Sequence, residues 1–253
     1  MLSQGASVEI DKKGLPKLSV IVVTFNAATT LQNCLNSIYR QSYPNIELII
    51  IDGKSEDNTT KILQENTNNI YYWKSEKDGG IYDAMNKGLE HITGDWVYFL
   101  GADDELTSDF SAMAAELKDL SAIYYGSVWS DDRKCRGYVT DYIIAKYGVF
   151  HQAVLYPKAV FNKFKYDTRY KVRADHVLNM QFVKDHQFHF VFKDYILAKY
   201  NHEGLSNNYI DEQFEKDQSA LVLENFGLKI WLRFKFWRLK RIFKKTGKDD
   251  ATH

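Results

Sequence analysis

Continuous apolar runs that alternate with amphipathic segments limit the fold of this chain more than any other feature. The runs LSVIVVTF (18–25), IELIIID (46–52) and the segment DWVYFL (95–100) have the pattern of strands buried on both faces of a parallel sheet. After the first run, apolar residues recur every three or four positions between 28 and 40, which predicts a helix packed on that strand. With a shorter strand at IYYW (70–73), the alternation predicts a doubly wound α/β domain with a mostly parallel sheet.

The alternation weakens after Phe110. The segment AIYYGSVW (122–129) has the pattern of a further strand, and 150–164 mixes strand and turn signals. We expect this part to continue the same domain as an α+β region, and the pattern is helical from Gln218 onward.

The charge of the chain is balanced in total but separated along its length. The 253 residues include 33 Lys and Arg and 33 Asp and Glu, yet nine cations lie between Lys229 and Lys248 with no acid among them. When that strip is set aside together with Asp249 and Asp250, 24 basic residues face 31 acidic ones. This separation predicts an anionic surface as a partner.

Cysteine usage and apolar runs indicate the compartment. Cys34 and Cys135 are too few for a disulfide framework and lack the spacing of a metal site, which favours a reducing environment. No apolar run approaches the roughly 18 residues of a spanning helix, and 1–14 lacks the apolar core of a signal peptide. We therefore expect a cytoplasmic protein that is neither exported nor integral to a membrane.

The C-terminal segment 227–248 combines its cations with apolar residues. One stripe consists of Leu228, Leu232, Phe236, Leu239 and Phe243, and the aromatic residues Trp231, Phe234 and Trp237 lie nearby. This composition predicts an interfacial helix on an anionic leaflet, peripheral to the inner face of the cell membrane. The alternative is a helix docked on the protein's own acidic body, and nucleic-acid binding is not expected.

Polar residues follow three of the predicted strands, at 24–26, 52–57 and 101–105. In open α/β sheets, ligands bind beyond the carboxyl ends of the strands, although a single Asp there is more often a turn former or a helix cap. No Gly-rich phosphate loop follows any strand, so the phosphates of a bound nucleotide would need another counter-charge. Asp103 and Asp104 supply hard oxygen ligands for Mg²⁺ or Mn²⁺, which can bridge to diphosphate.

These segments resemble a known family. SVIVVTFNA, IDGKSEDNT and FLGADDEL are similar to the nucleotide-binding half of the family-2 glycosyltransferases, and EKDGGIYDAMNKGLEHITGDWVYFLGADD resembles the branch that builds bacterial O-antigens, capsules and exopolysaccharides. The resemblance implies a GT-A fold and inverting, metal-dependent transfer from a nucleotide sugar, with UDP the expected nucleotide. It also implies Mn²⁺ or Mg²⁺ as cofactor and a polyprenyl-diphosphate-linked saccharide as acceptor. The QxxRW motif of processive members does not occur, which implies transfer of one sugar per encounter.

The resemblance assigns donor and metal residues. Asp52 matches the aspartate that reads the nucleotide base, and Thr24 and Phe25 line the same pocket. Asp103 matches the last aspartate of the DxD metal motif, with Asp104 as a possible helper.

Other donor-side positions either depart from the family pattern or match it without indicating a single role. Gly101 stands at the first position of DxD, and Met85 stands where many members have an Arg, which leaves Lys77 or Lys87 as substitutes for the diphosphate contact. Asp78 and Gly80 either let the backbone approach the donor sugar nucleotide closely or form a glycine turn before a helix. His202, in NHEGLSN, is a third candidate metal ligand.

The acceptor half contains the candidate general base. In VRADHVLNMQFV, Asp175 holds the place of the family's base before a helix, and the alternative is that it only caps that helix. Its neighbours Arg173 and His176 are weaker candidates for acceptor or phosphate contact, as is His151 in VFHQAVLYP.

From the resemblance we expect an N-terminal extension at 1–17, a GT-A domain at 18–217 and a basic amphipathic helix or tail at 218–253. Within the domain, 18–106 would bind the nucleotide sugar and 107–217 the acceptor.

Two other functions are compatible with the sequence. A nucleotidyltransferase would need a basic Gly-rich activating loop near the N-terminus, which is missing. A catalytically inactive member that acts as a membrane-docking scaffold is suggested by Gly101, because the first metal-motif acid is lost.

Overall fold

The strands and helices of the first half follow the predicted alternation. A computed structural model describes residues 14–201 and 209–249, with side chains up to Arg241 in the last helix. The strands are β1 (Leu18–Thr24), β2 (Ile46–Asp52), β3 (Tyr72–Ser75), β4 (Trp96–Gly101), β5 (Glu105–Leu106), β6 (Ala122–Ser130), β7 (Arg133–Cys135), β8 (Val154–Pro157) and β9 (His189–Lys199). The helices are α1 (Leu31–Tyr39), α2 (Thr59–Glu65), α3 (Ile81–Gly88), α4 (Asp109–Ala114), α5 (Asp141–Tyr147), α6 (Val160–Lys163), α7 (Ala174–Lys184) and α8 (Glu212–Asp249), with short 3₁₀ turns at Thr67–Asn69, Leu89–His91 and His151–Ala153.

The nine strands form one sheet in the order β3-β2-β1-β4-β8-β6-β9-β5, with β7 paired to β6. The pairs within β3-β2-β1-β4 are parallel, and β6 is parallel to β9. The pairs of β8 with β4 and β6, and that of β5 with β9, are antiparallel. The predicted α/β architecture with a mostly parallel sheet is confirmed.

Helices cover both faces of the sheet. On one face, Leu35 of α1 shares a buried cluster with Val20 of β1. On the other face, Ile21 of β1 and Met85 of α3 belong to a second cluster. At Gly88 an added Cβ would lie 2.7 Å from the Ile21 Cγ2 atom, so α3 approaches β1 closely because this residue has no side chain.

The carboxyl ends of the parallel strands meet at one edge. Thr24 pairs with Asp52, and Asp52 pairs with Ser75, while Val23 lies beside Gly101. The polar residues that follow three separate strands in the sequence are therefore neighbours in space.

Helix α8 is folded back on itself at Gly227, whose φ of 74° and ψ of 178° are not helical. The Trp231 Nε1 atom donates to Ser219 Oγ at 3.1 Å, and Arg238 pairs with Glu215 at 3.7 Å. Residues 23 positions apart in a straight helix would be separated by roughly 34 Å. The two arms of α8, 212–226 and 228–249, therefore lie antiparallel.

The second arm of α8 has two apolar faces. Phe234 is fully buried on the body, and Trp231 and Trp237 are half-buried beside it. Four side chains on the other face remain 50–61% exposed: Leu228, Leu232, Phe236 and Leu239. Along a helix these four recur at the spacing of a single stripe, nearly opposite to Phe234.

The structure changes the sequence-based description of this helix in two ways. The helix begins at Glu212, six residues before the helical pattern predicted from Gln218. Trp231, Phe234 and Trp237, expected among the membrane-facing aromatics, belong to the docked face, because this arm carries apolar residues on two sides. Across the described ranges no helix has both the length and the hydropathy of a membrane span.

Candidate active site at the carboxyl ends of the strands

A cavity of about 620 Å³ opens where the parallel strands end. One wall comes from the strand ends and α3, and it includes Thr24, Phe25, Gly53, Lys77, Asp78, Gly80, Tyr82, Asp103 and Asp104. A second wall comes from the second half of the chain, and it includes Arg136, Tyr147, Phe150, His151, Arg173, Asp175 and Tyr200. Most of the predicted site residues are thus brought to one cavity by two different parts of the chain.

The nucleotide side has an aromatic rim above a buried carboxylate. Phe25 lines the cavity and is 59% exposed, as a platform for a flat ring would be. Asp52 is fully buried below the cavity wall, where its Oδ2 atom accepts from the Ser55 amide at 2.9 Å and from Ser75 Oγ at 2.6 Å. The structure therefore brings Thr24 and Phe25 to the cavity surface, and Asp52 directly beneath it.

The loop before α3 brings backbone to the cavity. Gly80 has a φ of 115°, which favours glycine, and its amide donates to Asp78 Oδ1 at 2.9 Å. Burial raises the pKa of the Asp78 carboxyl. An added Cβ on Gly53 would lie 2.8 Å from Asp78 Oδ2, so this glycine lets the loop close against β2.

The two lysines proposed for the diphosphate differ in their surroundings. Lys77 lines the cavity. Lys87 faces Glu76 and Asp83 at 3.3 Å each, and its Nζ atom donates to the Lys77 carbonyl at 3.1 Å. Lys87 is thus a structural cation that holds the loop, and only Lys77 remains available to an anion.

The two acids of the metal motif have different environments. Asp103 is partly exposed to the cavity. Asp104 is almost fully buried, and its carboxyl accepts from Gln152 Nε2 at 2.8 Å and from the Asn201 amide at 3.0 Å. Burial, and then the charge of Asp103, raise the pKa of Asp104 to about 7.

These acids fit a divalent cation. A Cβ on Gly101 would lie 2.7 Å from Asp103 Oδ1 and 2.8 Å from Asp104 Oδ2, so the two carboxyl groups converge over this glycine and leave no room for a third acid. Two adjacent carboxylates repel each other unless a cation lies between them. Within 14–201 and 209–249 no group of three or more His, Cys, Asp or Glu side chains forms a metal cluster. His202, the third predicted ligand, lies outside the described residues.

The candidate base Asp175 is in the first turn of α7 and lines the cavity. Its Oδ1 atom accepts from the Tyr82 hydroxyl at 2.6 Å, and its Oδ2 atom is 3.9 Å from His151 Nδ1. The N-cap position belongs to Arg173, so the alternative that Asp175 only caps the helix is wrong. Tyr82 had no assigned role in the sequence, because no local pattern indicates a contact across 93 residues.

Both candidate histidines line the cavity, but their surroundings differ. The charges of Asp175 and Asp103 both act on His151, and burial lowers its pKa against the pull of these carboxylates. His176 is almost fully buried with its Nε2 atom 2.6 Å from the Ile144 carbonyl, and burial lowers its pKa to about 4. His176 thus helps to pack α7 on α5, and its contact with substrate stays a prediction.

One further cation lines the second wall. The Arg136 guanidinium lies 5.4 Å from the ring centroid of Tyr147 and 5.0 Å from that of Phe150, and it donates to the Gly148 carbonyl. Arg173 lines the same wall and is exposed. Arg136 had no role predicted from the sequence, since it lies in a loop without a recognisable motif.

Comparison with known proteins gives sequence relatives over most of the chain. A family model described as "Glycosyl transferase family 2" matches residues 19–187. A PGL/p-HBAD biosynthesis glycosyltransferase of Mycobacterium bovis is 34% identical over 213 residues, which is 79% of this chain and 83% of that protein. A GalNAc(5)-diNAcBac-PP-undecaprenol beta-1,3-glucosyltransferase of Campylobacter jejuni is 38% identical over 98 residues, which is 37% of this chain and 32% of that protein.

Solved structures share the fold at low identity. S. aureus TarS 1-349 in complex with UDP-GlcNAc superimposes with a TM-score of 0.66 and 19% identity, over 83% of this chain and 67% of that chain. The mannosyltransferase PcManGT from Pyrobaculum calidifontis in complex with GDP-Man and Mn²⁺ gives a TM-score of 0.61 and 16% identity, over 85% of this chain and 64% of that chain. The match covers 40% of the longer TarS chain.

Proposed function

The chain belongs to glycosyl transferase family 2, and from this premise we propose that it transfers a single sugar from a UDP-sugar to a lipid-linked saccharide, with inversion at the anomeric carbon. The observation that carries the proposal is the arrangement of two acids in one cavity. Asp103 lines the cavity from the strand ends and Asp175 lines it from α7, and the charges of both acids act on His151. In an inverting transfer the diphosphate would leave toward a cation held at Asp103, while the hydroxyl that Asp175 deprotonates would attack the other side of the anomeric carbon.

On the donor side, Phe25 would stack on the nucleotide base, and Asp52 would support the loop beneath the base through its hydrogen bonds to Ser55 and Ser75. Asp103, with Asp104 beside it, would hold Mn²⁺ or Mg²⁺. The bound ion would neutralise charge on the departing diphosphate. The complexes of the solved neighbours with UDP-GlcNAc, and with GDP-Man and Mn²⁺, support this use of the cavity.

On the acceptor side, Asp175 would take the proton of the attacking hydroxyl as the new glycosidic bond forms. Tyr82 would keep the carboxylate oriented through the 2.6 Å hydrogen bond to Oδ1. Burial and the charge of Asp175 raise the pKa of Tyr82 well above its ordinary value, so this hydroxyl remains a donor. The other oxygen, Oδ2, is left to face the acceptor.

We test these roles by separating binding from transfer. Asp175→Asn should abolish release of UDP coupled to acceptor glycosylation but keep the thermal stabilisation by UDP with Mn²⁺, because the amide cannot take a proton. Asp103→Asn should lose both signals. Glu105→Gln, two residues from Asp103, is the matched control and should keep both.

Three results would contradict the proposal or redirect it. Transfer by Asp175→Asn at wild-type rate would remove Asp175 as the base. Stabilisation by Mn²⁺ and UDP in Asp103→Asn would remove the metal assignment. No turnover by the wild-type protein with UDP-, GDP- or dTDP-sugars would favour the inactive scaffold that Gly101 suggests.

We also propose that the exposed stripe of α8 places the protein on an anionic membrane surface, at the cytoplasmic face where a lipid-linked acceptor would be found. Four apolar side chains of the stripe are half exposed or more, and cations flank them at Lys229, Lys235 and Lys240. Such a face suits the boundary between headgroups and acyl chains. The name of the Campylobacter relative, which contains PP-undecaprenol, supports a lipid-linked acceptor.

Deletion of the second arm would also remove the buried Phe234, so point variants give the cleaner test. Leu232→Glu should lower co-sedimentation with vesicles of phosphatidylglycerol and phosphatidylcholine by at least tenfold. Leu223→Glu, on the first arm and 42% exposed, is the matched control and should bind as the wild type does. Equal binding by the two variants would refute the role of the stripe.

A further inference from the structure

Arg136 is a cation on the second wall of the cavity. Among the described residues it makes no ion pair, and its guanidinium donates a hydrogen bond to the carbonyl of Gly148. A guanidinium group has five N–H donors in a planar fork that matches phosphate oxygens. Arg136 is half-buried and lines the cavity, so an anion in the cavity could reach its guanidinium.

Two aromatic rings lie beside this guanidinium. The ring centroids of Tyr147 and Phe150 are 5.4 and 5.0 Å from it, and both residues also line the cavity. Such cation–π contacts restrict the arginine side chain, so less side-chain entropy is lost when an anion binds.

A second cation faces the same wall. Arg173 is the residue before α7 and lies close enough for its charge to lower the pKa of Arg136, after the larger effect of burial. The charge of Asp175, on the same wall, acts on Arg136 in the opposite direction and offsets part of this repulsion. Two guanidinium groups repel each other unless an anion is shared between them, so a bound phosphate would relieve the repulsion that is left. On the donor side, where Asp103 and Asp104 lie, a diphosphate would need a metal instead.

The two arginines lie near the second arm of α8. The ring of Tyr147 that covers Arg136 lies edge-on to Trp237 of α8 at 5.6 Å, and Lys146 lies 4.6 Å from the Trp237 ring. Trp237 is on the docked face of the second arm, so one helix diameter, about 10 Å, separates this contact from the exposed stripe. A phosphate headgroup anchored in a bilayer below the stripe is therefore close to this wall.

We propose that Arg136, in contact with the rings of Tyr147 and Phe150 and joined by Arg173, binds the phosphate or diphosphate group of a lipid-linked acceptor. This inference rests on the proposed function for its substrate, and it assigns the acceptor subsite within the cavity. It makes Arg136 a specificity residue that distinguishes phosphate-linked acceptors from neutral glycosides.

The first test compares two acceptors that carry the same saccharide, one on a polyprenyl diphosphate and one on a neutral octyl group. Arg136→Gln should lower the preference for the diphosphate acceptor, measured as the ratio of KM values, by about 10- to 100-fold, the range for a lost charge-assisted hydrogen bond. Arg136→Lys keeps the charge without the fork and should lose part of that preference. Arg133→Gln, an exposed cation three residues away, is the matched control and should retain the wild-type ratio.

A second test needs no turnover. Inorganic pyrophosphate in the presence of EDTA should raise the melting temperature of the wild-type protein and of Arg133→Gln, and should raise that of Arg136→Gln much less. If pyrophosphate binds in this way but no acceptor is glycosylated, the proposed function fails and the anion subsite stands. If transfer occurs but Arg136→Gln changes neither the acceptor ratio nor pyrophosphate binding, the subsite fails and the function stands. A rise confined to the KM of the UDP-sugar would assign Arg136 to the donor and overturn the inference.

Discussion

The hydrogen bond between Tyr82 and Asp175 gives a sharp test of the catalytic geometry. The change is Tyr82→Phe, which removes one hydroxyl from a buried ring and leaves its packing in place. The bond is short, at 2.6 Å, and its acceptor is a carboxylate, so its loss should cost about 1.5–3 kcal/mol. That free energy stabilises the ionised form of the base.

The size of the effect follows from this energy. Without the donor, the Asp175 carboxylate can turn away from the attacking hydroxyl, and a loss of about 1.5–3 kcal/mol corresponds to a fall in kcat of about 10- to 100-fold. The KM of the UDP-sugar should stay unchanged, because Tyr82 would act through Asp175 and not on the donor.

The assay is UDP release at saturating concentrations of UDP-sugar, Mn²⁺ and acceptor. Tyr166→Phe is the matched control: its ring stacks on Tyr82 at 5.2 Å, and its buried hydroxyl finds no partner among the described residues. This variant should keep the wild-type kcat. A kcat of Tyr82→Phe within about twofold of the wild type would refute the action of Tyr82 on the base.

Three stability predictions concern residues away from the reacting groups. Hydrogen bonds from Lys17, Ser19 and Thr93 outweigh burial and lower the pKa of Glu47 to about 2 from its ordinary 4.5. Because the pKa is lower in the folded state, the ionised carboxylate stabilises the fold, and Glu47→Gln should lower the free energy of unfolding in urea at pH 7 by about 3 kcal/mol. This difference between variant and wild type should disappear as the pH falls through 2. Burial lowers the pKa of His176 to about 4 from 6.5, so wild-type stability should fall by up to about 3 kcal/mol between pH 6.5 and 4, and this slope should be reduced in His176→Gln. Gly227→Ala should cost about 1–3 kcal/mol and loosen the second arm of α8, seen as faster proteolysis there, because φ 74° with ψ 178° is open essentially to glycine alone.

The first half of the fold could be predicted because its signals are local. Each buried strand is a continuous apolar run and each helix has a clear apolar face, so the order of β1, α1, β2 and β4 follows from the sequence. Strand pairing in the second half could not be predicted, since β8 inserts between β4 and β6 and β5 pairs with β9 across more than 90 residues. No local pattern encodes which distant strand closes an edge.

The residues of the candidate site also divide into those that a local motif indicates and those that only a long-range contact indicates. Phe25, Asp103 and Asp175 were found from motifs at strand and helix ends, and all three line the cavity. Tyr82 and Arg136 were missed, because what makes them functional candidates is a neighbour far away in the sequence. The roles of all five remain predictions for the variants described above.

The adjacent acids Asp103 and Asp104 show what the structure adds to a motif. The sequence assigns the metal to Asp103 with Asp104 as its helper, and the structure shows a difference between them: Asp103 is partly exposed, while Asp104 is almost fully buried and accepts from Gln152 and the Asn201 amide. Gln152 follows His151, which lies between the two functional carboxylates, and Asn201 precedes the segment that contains His202. A cation bound at Asp103 would favour the ionised form of Asp104 and so strengthen both of these hydrogen bonds. Donor binding at the strand ends would thereby tighten the turn that positions His151 opposite Asp175, which connects the two halves of the cavity through one buried carboxyl group.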